Sequence, residues 1–224
     1  MRGEQLCPEI AGPRNERVTV REGVILFARI LLDESCGNPL EEGDCLGRIY
    51  SFSWRVGDKH FPDAYKNEEG LKEWEAEHPF CQKLRYFEHG GCEWALADEG
   101  SPGTQCPWDS VGFAGYWVPE SPHVLTEIQE ASDPQEHARA LARVACEEYT
   151  RWANGDCWGF KVEAFRTRRA EDGEVFDQLE DYRFLEPLAE DSCWGFIGAE
   201  YAQEQAEEAA AGVLAAAEKR VREA

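Results

Sequence analysis

The sequence has no apolar run approaching the roughly 18 residues that a membrane span requires, and its start, Met1-Arg2-Gly3-Glu4-Gln5-Leu6-Cys7-Pro8, holds no hydrophobic signal core. The chain is therefore expected to avoid membranes and to stay in the cytoplasm of the cell that makes it. Its nine cysteines include no Cys-x-x-Cys pair. An odd, scattered set in a reducing compartment argues against a disulfide framework. There is no glycine-rich phosphate cradle, no Gly-x-Ser-x-Gly elbow and no His-Glu-x-x-His pattern, so the common signatures of nucleotide, acyl and zinc-hydrolase chemistry are missing. Positive charge is also scarce: 23 basic against 45 acidic residues leave a net charge of −22. Direct binding to nucleic acid or to an anionic membrane is excluded by that balance.

What the chain does have is an apolar fraction of 42% and eight tryptophans, too much buried-type surface for a disordered protein. The expected fold class is α+β: a mixed, aromatic-rich β-sheet with packed helices and an alanine-rich C-terminal helix. A flexible arm over 1–16, a core domain over 17–198 and a final helix over 199–224 are drawn, the helix packing on the core or on a second copy of the chain. The centre is placed at Val111 to Val118. There Val111, Phe113 and Trp117 alternate with Gly112, Ala114, Tyr116 and Val118, so neither face suits water and the strand belongs mid-sheet. Asp156-Cys157-Trp158-Gly159-Phe160 and Ser192-Cys193-Trp194-Gly195-Phe196 echo it. A small residue beside each Trp suits a ring lying flat on a strand.

Around this centre the pattern predicts a hairpin through Val18–Val20 and Val24–Leu32, and strands over 46–56, 84–87, 93–97 and 157–165. A helix follows Asn67, a short one spans 123–130, and another is opened by Asp133-Pro134-Gln135-Glu136, where a capping acid precedes proline at the first helical position. That last helix lies between strands 111–118 and 157–165, which permits a right-handed crossover and a partly parallel sheet. The turn Glu171-Asp172-Gly173-Glu174 predicts a returning strand from Val175 to Leu185.

The acids are not scattered evenly. Glu69, Glu73 and Glu77 fall at i, i+4 and i+8 on one predicted helix, and Glu200, Glu204 and Glu208 repeat the column on the last one. Between 170 and 191 stand nine acids, among them Glu171, Asp172, Glu174, Asp177, Glu180 and Asp181, against the single base Arg183. Basic residues cluster at Arg166-Thr167-Arg168-Arg169.

Several strings carry a resemblance: Pro39 to Trp54 with Gly57-Asp58-Lys59, Leu84-Arg85-Tyr86-Phe87-Glu88-His89-Gly90, Cys106-Pro107-Trp108-Asp109-Ser110 with Val111-Gly112-Phe113, Glu147-Glu148-Tyr149, Gly155-Asp156-Cys157-Trp158-Gly159-Phe160, and Asp191-Ser192-Cys193-Trp194-Gly195-Phe196-Ile197-Gly198. With these the chain resembles a family of bacteriophage and mobile-element proteins that has no assigned activity. It departs from the family in a shorter stretch between Ser110 and Gly112, in Gly90 where serine is usual, and in the arm. The resemblance implies a cytoplasmic accessory protein of a mobile element, and brings no fold or catalytic residues with it.

Three functions are weighed. The first is an acidic protein that inhibits a host nucleic-acid-handling or defence factor, of the anti-CRISPR or anti-restriction kind, by imitating the charge of DNA or RNA. Its partner is a host protein with a basic groove, and its surface is the set of acids named above. The second is a nucleotide-sequestering protein with a pocket at Trp108, Asp109, Trp158 and Trp194; it requires Arg166, Arg168 and Arg169 to border those rings. The third is an enzyme using Cys92 or Cys106 with His89 as base and Asp109 or Glu88 to orient it. His89, Cys92 and Cys106 also supply three zinc ligands, without a second close pair. The first reading is preferred, with no cofactor, no metal and no catalytic residue assigned.

Overall fold

A computed structural model describes residues 16–41, 45–99 and 109–224. In chain order the strands are β1 (Glu16–Arg21), β2 (Val24–Leu32), β3 (Arg48–Ser51), β4 (Lys59–His60), β5 (Gln82–Glu88), β6 (Cys92–Leu96), β7 (Ser110–Val118), β8 (Cys157–Arg166) and β9 (Ala189–Ile197); the helices are α1 (Glu68–Glu77), α2 (Pro122–Glu130), α3 (Pro134–Ala153) and α4 (Ala199–Glu223). The architecture is α+β. The chain divides into two compact units, 1–36 with 156–224 and 37–155, where the sequence draws a single core over 17–198. The arm expected over 1–16 lies outside the described residues except for Glu16, which opens β1.

The first unit is an antiparallel sheet in the order β1-β2-β8-β9. Glu22 and Gly23, with φ of 48° and 80°, make the two-residue turn between β1 and β2. Left-handed residues at both turn positions match the twist of the strands they join. Val24, Leu26 and Ile30 of β2 and Phe160, Val162 and Ala164 of β8 point to one face, where they meet Ala202, Ala206, Val213 and Ala217 of α4. Alanine at these contacts lets the helix sit close to the sheet. The opposite face holds Ile25, Phe27 and Phe165, and is closed by the segment after β8 through Val175, Phe176, Leu179 and Tyr182.

That closure replaces the strand expected from Val175 to Leu185. The segment makes one isolated bridge, Arg169 to Val175, and a short 3₁₀ turn at Leu179–Asp181. Phe176, Leu179 and Tyr182 are spaced three apart, which puts all three on one side of a turning chain and would split them across a strand. Fully buried Tyr182 anchors the fold: its hydroxyl accepts from Arg168 N–H at 3.1 Å and donates to the Phe176 carbonyl at 2.8 Å. The strand that returns along β8 is β9, which begins at Ala189.

The second unit is a sheet in the order β4-β3-β7-β5-β6. β7 is its central strand, as its two apolar faces require. β7 and β8 belong to different sheets, so the crossover through α3 does not form; among the described residues the parallel pair is β3 with β4. The facing along β7 also differs from simple alternation. Leu84 pairs with Gly115 but Tyr86 with Val111, so a bulge resets the pleat. Phe113 thereby joins Tyr116 and Val118 under Phe61 and Trp74 of the α1 side, and Ala114 joins Trp117 under Val124, Ile128 and Ala138 of the α2–α3 side. Gly115 is required here, because a Cβ would lie 1.9 Å from the Tyr50 carbonyl oxygen.

Both predicted helix starts are capped: Asn67 Oδ1 accepts from Gly70 N–H at 2.9 Å and Asp133 Oδ1 from Glu136 N–H at 3.1 Å. The strand expected over 46–56 stops at Ser51. Ser51 Oγ accepts from Ser53 N–H and Ser53 Oγ from Arg55 N–H, local bonds that draw the backbone away from a ladder.

Candidate functional site

The two glutamate columns stand where the helical spacing puts them. Glu69, Glu73 and Glu77 are exposed along α1, and Glu200, Glu204 and Glu208 along α4. Lys72, the cation inside α1, is taken by Glu68 at 2.8 Å, and among the described residues no cation meets the α1 column. The other side of α1 faces inward: Glu75 meets Lys83 at 2.8 Å and accepts from the Tyr116 hydroxyl at 2.7 Å.

Bases of this unit are spent in the same way, on acids that are not in the column. Arg48 meets Asp58 at 3.2 Å, Lys59 meets Glu120 at 2.9 Å and Arg85 meets Glu93 at 2.7 Å. Arg143 and Arg139 hold Glu99, whose carboxyl is pushed down to about 2 by their hydrogen bonds, Arg143 first. In the other unit Glu171, Asp172, Glu174, Asp177 and Glu180 are exposed and Asp181 is half-buried. They lie on the closing loop over β2 and β8, not on a hairpin strand.

The arginine cluster serves that loop. Arg168 donates to the Asp181 carbonyl at 2.6 Å with its guanidinium 5.5 Å above the Phe176 ring, and Arg169 donates to the Gly173 carbonyl at 2.8 Å. Arg166 ends β8, at the opposite end from Trp158. Eight residues of strand separate the two by roughly 26 Å. The triplet therefore does not border Trp158.

Trp158 and Trp194 do not face each other either. Trp158 packs with Phe196 on the α4 side of the sheet and donates to Asp156 Oδ1 at 2.6 Å. Trp194 lies over Gly159 on the opposite side: a Cβ there would be 2.2 Å from its Cε3. The expectation that a glycine makes room for a ring holds here, but it makes a flat stack, not a pocket. Trp108 and Cys106 lie outside the described residues. Asp109 belongs to the other unit, where its Oδ2 meets His89 Nδ1 at 3.2 Å.

His89 is exposed, at 76% of its side chain. The Cys92 thiol is pushed up by burial and by Glu88, away from the thiolate that a nucleophile needs. Its backbone is clasped by Asn154, which accepts from Cys92 N–H and donates to the Cys92 carbonyl, both at 2.8 Å. This clasp ties the end of α3 to β6 and gives the His89–Cys92 turn a structural role. Among the described residues no group of three His, Cys, Asp or Glu side chains could hold a metal ion.

A cleft of about 550 Å³ in the second unit has no counterpart in the sequence reading; its walls include Arg55, Tyr86, Glu88, Trp94 and Tyr149. Tyr86, Trp94 and Tyr149 are buried and form the floor. The Tyr149 hydroxyl is pushed up to about 12 by burial, with Asp58 adding to the effect. Exposed Arg55 stacks over Trp54 at 5.1 Å. Trp54 is itself 78% exposed, and that Trp-Arg pair beside Gly57 is the one signal the sequence offered for this wall.

No family model, curated protein or solved structure matches the chain. Among the described residues no helix is long and apolar enough to cross a membrane.

Proposed function

We propose that the protein is an acidic binding protein that occupies the basic groove of a host factor handling nucleic acid, and inhibits it by presenting carboxylates in place of phosphates. The observation that carries this reading is the α1 column: Glu69, Glu73 and Glu77 exposed in line, with Lys72 held aside by Glu68. Successive column members are about 6 Å apart along the axis. Each like-charged pair costs roughly 0.2–0.5 kcal/mol of helix stability, so the arrangement works against the helix it stands on. One nucleic-acid strand carries a charge about every 3.4 Å of axis, so a single column has roughly half that density. The α4 column and the acidic loop over β8 supply further carboxylates.

The test is capture of the tagged protein's partners from a bacterial lysate, washed at low and at high salt. A nucleic-acid-binding factor held at low salt, released at high salt and lost when Glu69, Glu73 and Glu77 become lysine is the expected result. Exposed charge pairs are screened beyond about 8 Å at physiological strength. Absence of any protein partner at either salt sinks the reading.

A second reading, sequestration of a small molecule, moves from the tryptophans to the cleft. It is favoured by Arg55, which lines the cleft with Tyr86, Trp94 and Tyr149 and meets no carboxylate among the described residues. Ultrafiltration and mass spectrometry of a small molecule carried by the purified protein, absent from an Arg55→Ala variant, would select it.

A further inference from the structure

β9 is the last strand of its sheet. Among the described residues nothing pairs with its outer side, and Glu190 to Gly195 are exposed. The ladder alternates its peptide groups between β8 and the outside. Ser192 N–H shows which are outward: it donates to its neighbour Asp191 Oδ1 at 2.8 Å instead of to β8. The peptide groups of Glu190 and Ser192 thus face away from the sheet. The straight part of this edge ends where Phe160 pairs with Cys193 but Trp158 with Phe196, a bulge with Gly195 at φ 88°. It offers Ala189 to Cys193, about 16 Å of strand.

Beside the edge runs a groove of about 550 Å³ between β9 and the flank of α4. Its floor is apolar and shallow, with Phe160, Ala209, Gly212 and Ala216, while Asp191 and Glu208 bring carboxylates to it. Gly212 sits inside a helix, where glycine is unfavourable, and a Cβ there would meet nothing within 4 Å. Helix packing therefore does not require it; its smallness keeps the groove open.

We propose that this edge and groove bind an extended segment of a partner protein as an added strand, one that alternates basic and apolar residues. The outward peptide groups of Glu190 and Ser192 hold its backbone, Ser192 N–H exchanging its bond to Asp191 Oδ1 for one to the added strand. Apolar side chains enter the groove over Gly212 and Ala216, whose rim carries Asp191 and Glu208, and the lysine or arginine side chains on the strand's other face meet Glu190, in exchange for its 3.9 Å contact with Lys161. The occupant is basic because the wall is acidic: a second copy of this chain, at net charge −22, brings its own Glu190 and Asp191 against the same residues. Acids on an open edge guard it against self-pairing and admit a strand of the opposite sign. None of its residues belongs to the α1 column.

The test uses the full chain and a labelled peptide of alternating lysine and valine, as long as β9. Fluorescence anisotropy reads affinity, and hydrogen exchange reads protection of the β9 amides. Binding with protection of Glu190 and Ser192 is expected. A version N-methylated on alternate residues, which keeps the charge and loses the strand bonds, should bind about tenfold more weakly. Gly212→Leu fills the groove and improves helix propensity, so it should melt no lower than the parent while binding about tenfold more weakly. Glu69→Lys/Glu73→Lys/Glu77→Lys should bind the peptide as the parent does, which separates a failure here from a failure of the α1 reading. The proposal is overturned if the N-methylated peptide binds equally well, or if Gly212→Leu leaves affinity unchanged. It is also overturned if binding appears only after residues 1–15 are deleted, or if sedimentation shows that the chain pairs β9 with itself.

Discussion

Replacing Tyr182 by phenylalanine isolates the interaction that holds the acidic loop over the first sheet. The ring stays in place, packed 5.5 Å from Phe27 and 5.4 Å from Phe165 between centroids, so the apolar burial is unchanged. Lost are the hydroxyl's bond from Arg168 N–H and its bond to the Phe176 carbonyl. At about 1 kcal/mol net for each bond, and more for a buried N–H left without a partner, the cost is about 2–3 kcal/mol. For a chain of this size that lowers Tm by roughly 4–12 °C. Urea unfolding with an unchanged slope would give the free energy, and hydrogen exchange across 167–185 would show the loop loosening first. Tyr182→Ala, which also removes the ring, should cost about 3–5 kcal/mol beyond that. A Tyr182→Phe protein within about 0.5 kcal/mol of the parent, with unchanged exchange in the loop, would refute the assignment of Tyr182 as its anchor.

Further expectations follow from single contacts. Gly115→Ala places a Cβ 1.9 Å from the Tyr50 carbonyl oxygen and must part β3 from β7, at about 3 kcal/mol or more by urea titration. Glu99, held down to about 2 against an ordinary value of 4.5, stabilises the fold fully above about pH 4.5 and loses that contribution as pH falls toward 2. Its side chain is 36% exposed, so screening limits the contribution to about 1 kcal/mol. Glu99→Gln should therefore be less stable than the parent at neutral pH and converge with it in acid. Among the cysteines of the described residues, alkylation followed by peptide mapping should find exposed Cys193 modified first and Cys146, buried with its thiol pushed up to about 12, modified last.

Much of the local structure was legible because local chemistry dictates it. Asp133-Pro134 and Asn67 mark helix starts through bonds made within four residues, and β7 reads as central because neither of its faces carries charge. The pairing of strands was less legible. β7 and β8 look alike in sequence, and nothing within either string says that one finds β3 and β5 while the other finds β2 and β9. Val175 to Leu185 reads as a strand because the turn at Glu171-Asp172-Gly173-Glu174 points the chain back, but the three-residue spacing of Phe176, Leu179 and Tyr182 was the better guide. The α1 and α4 carboxylates were readable by periodicity alone. The cleft was not, because Arg55, Tyr86, Trp94 and Tyr149 come from four separate segments, and no one segment carries the pattern. Gly159 announced a ring above it correctly, whereas which face of the sheet each tryptophan took depended on the bulge at Trp194–Gly195.

The most direct test of the central claim is competition. A captured host factor is titrated with its nucleic acid in the presence of the parent protein and of Glu69→Lys/Glu73→Lys/Glu77→Lys/Glu200→Lys/Glu204→Lys/Glu208→Lys, checked to be folded. The parent is expected to displace the nucleic acid stoichiometrically at low salt, and the reversed protein to leave it bound. Equal displacement by both, or displacement by neither, would contradict the assignment of these carboxylates as the surface that stands in for phosphate.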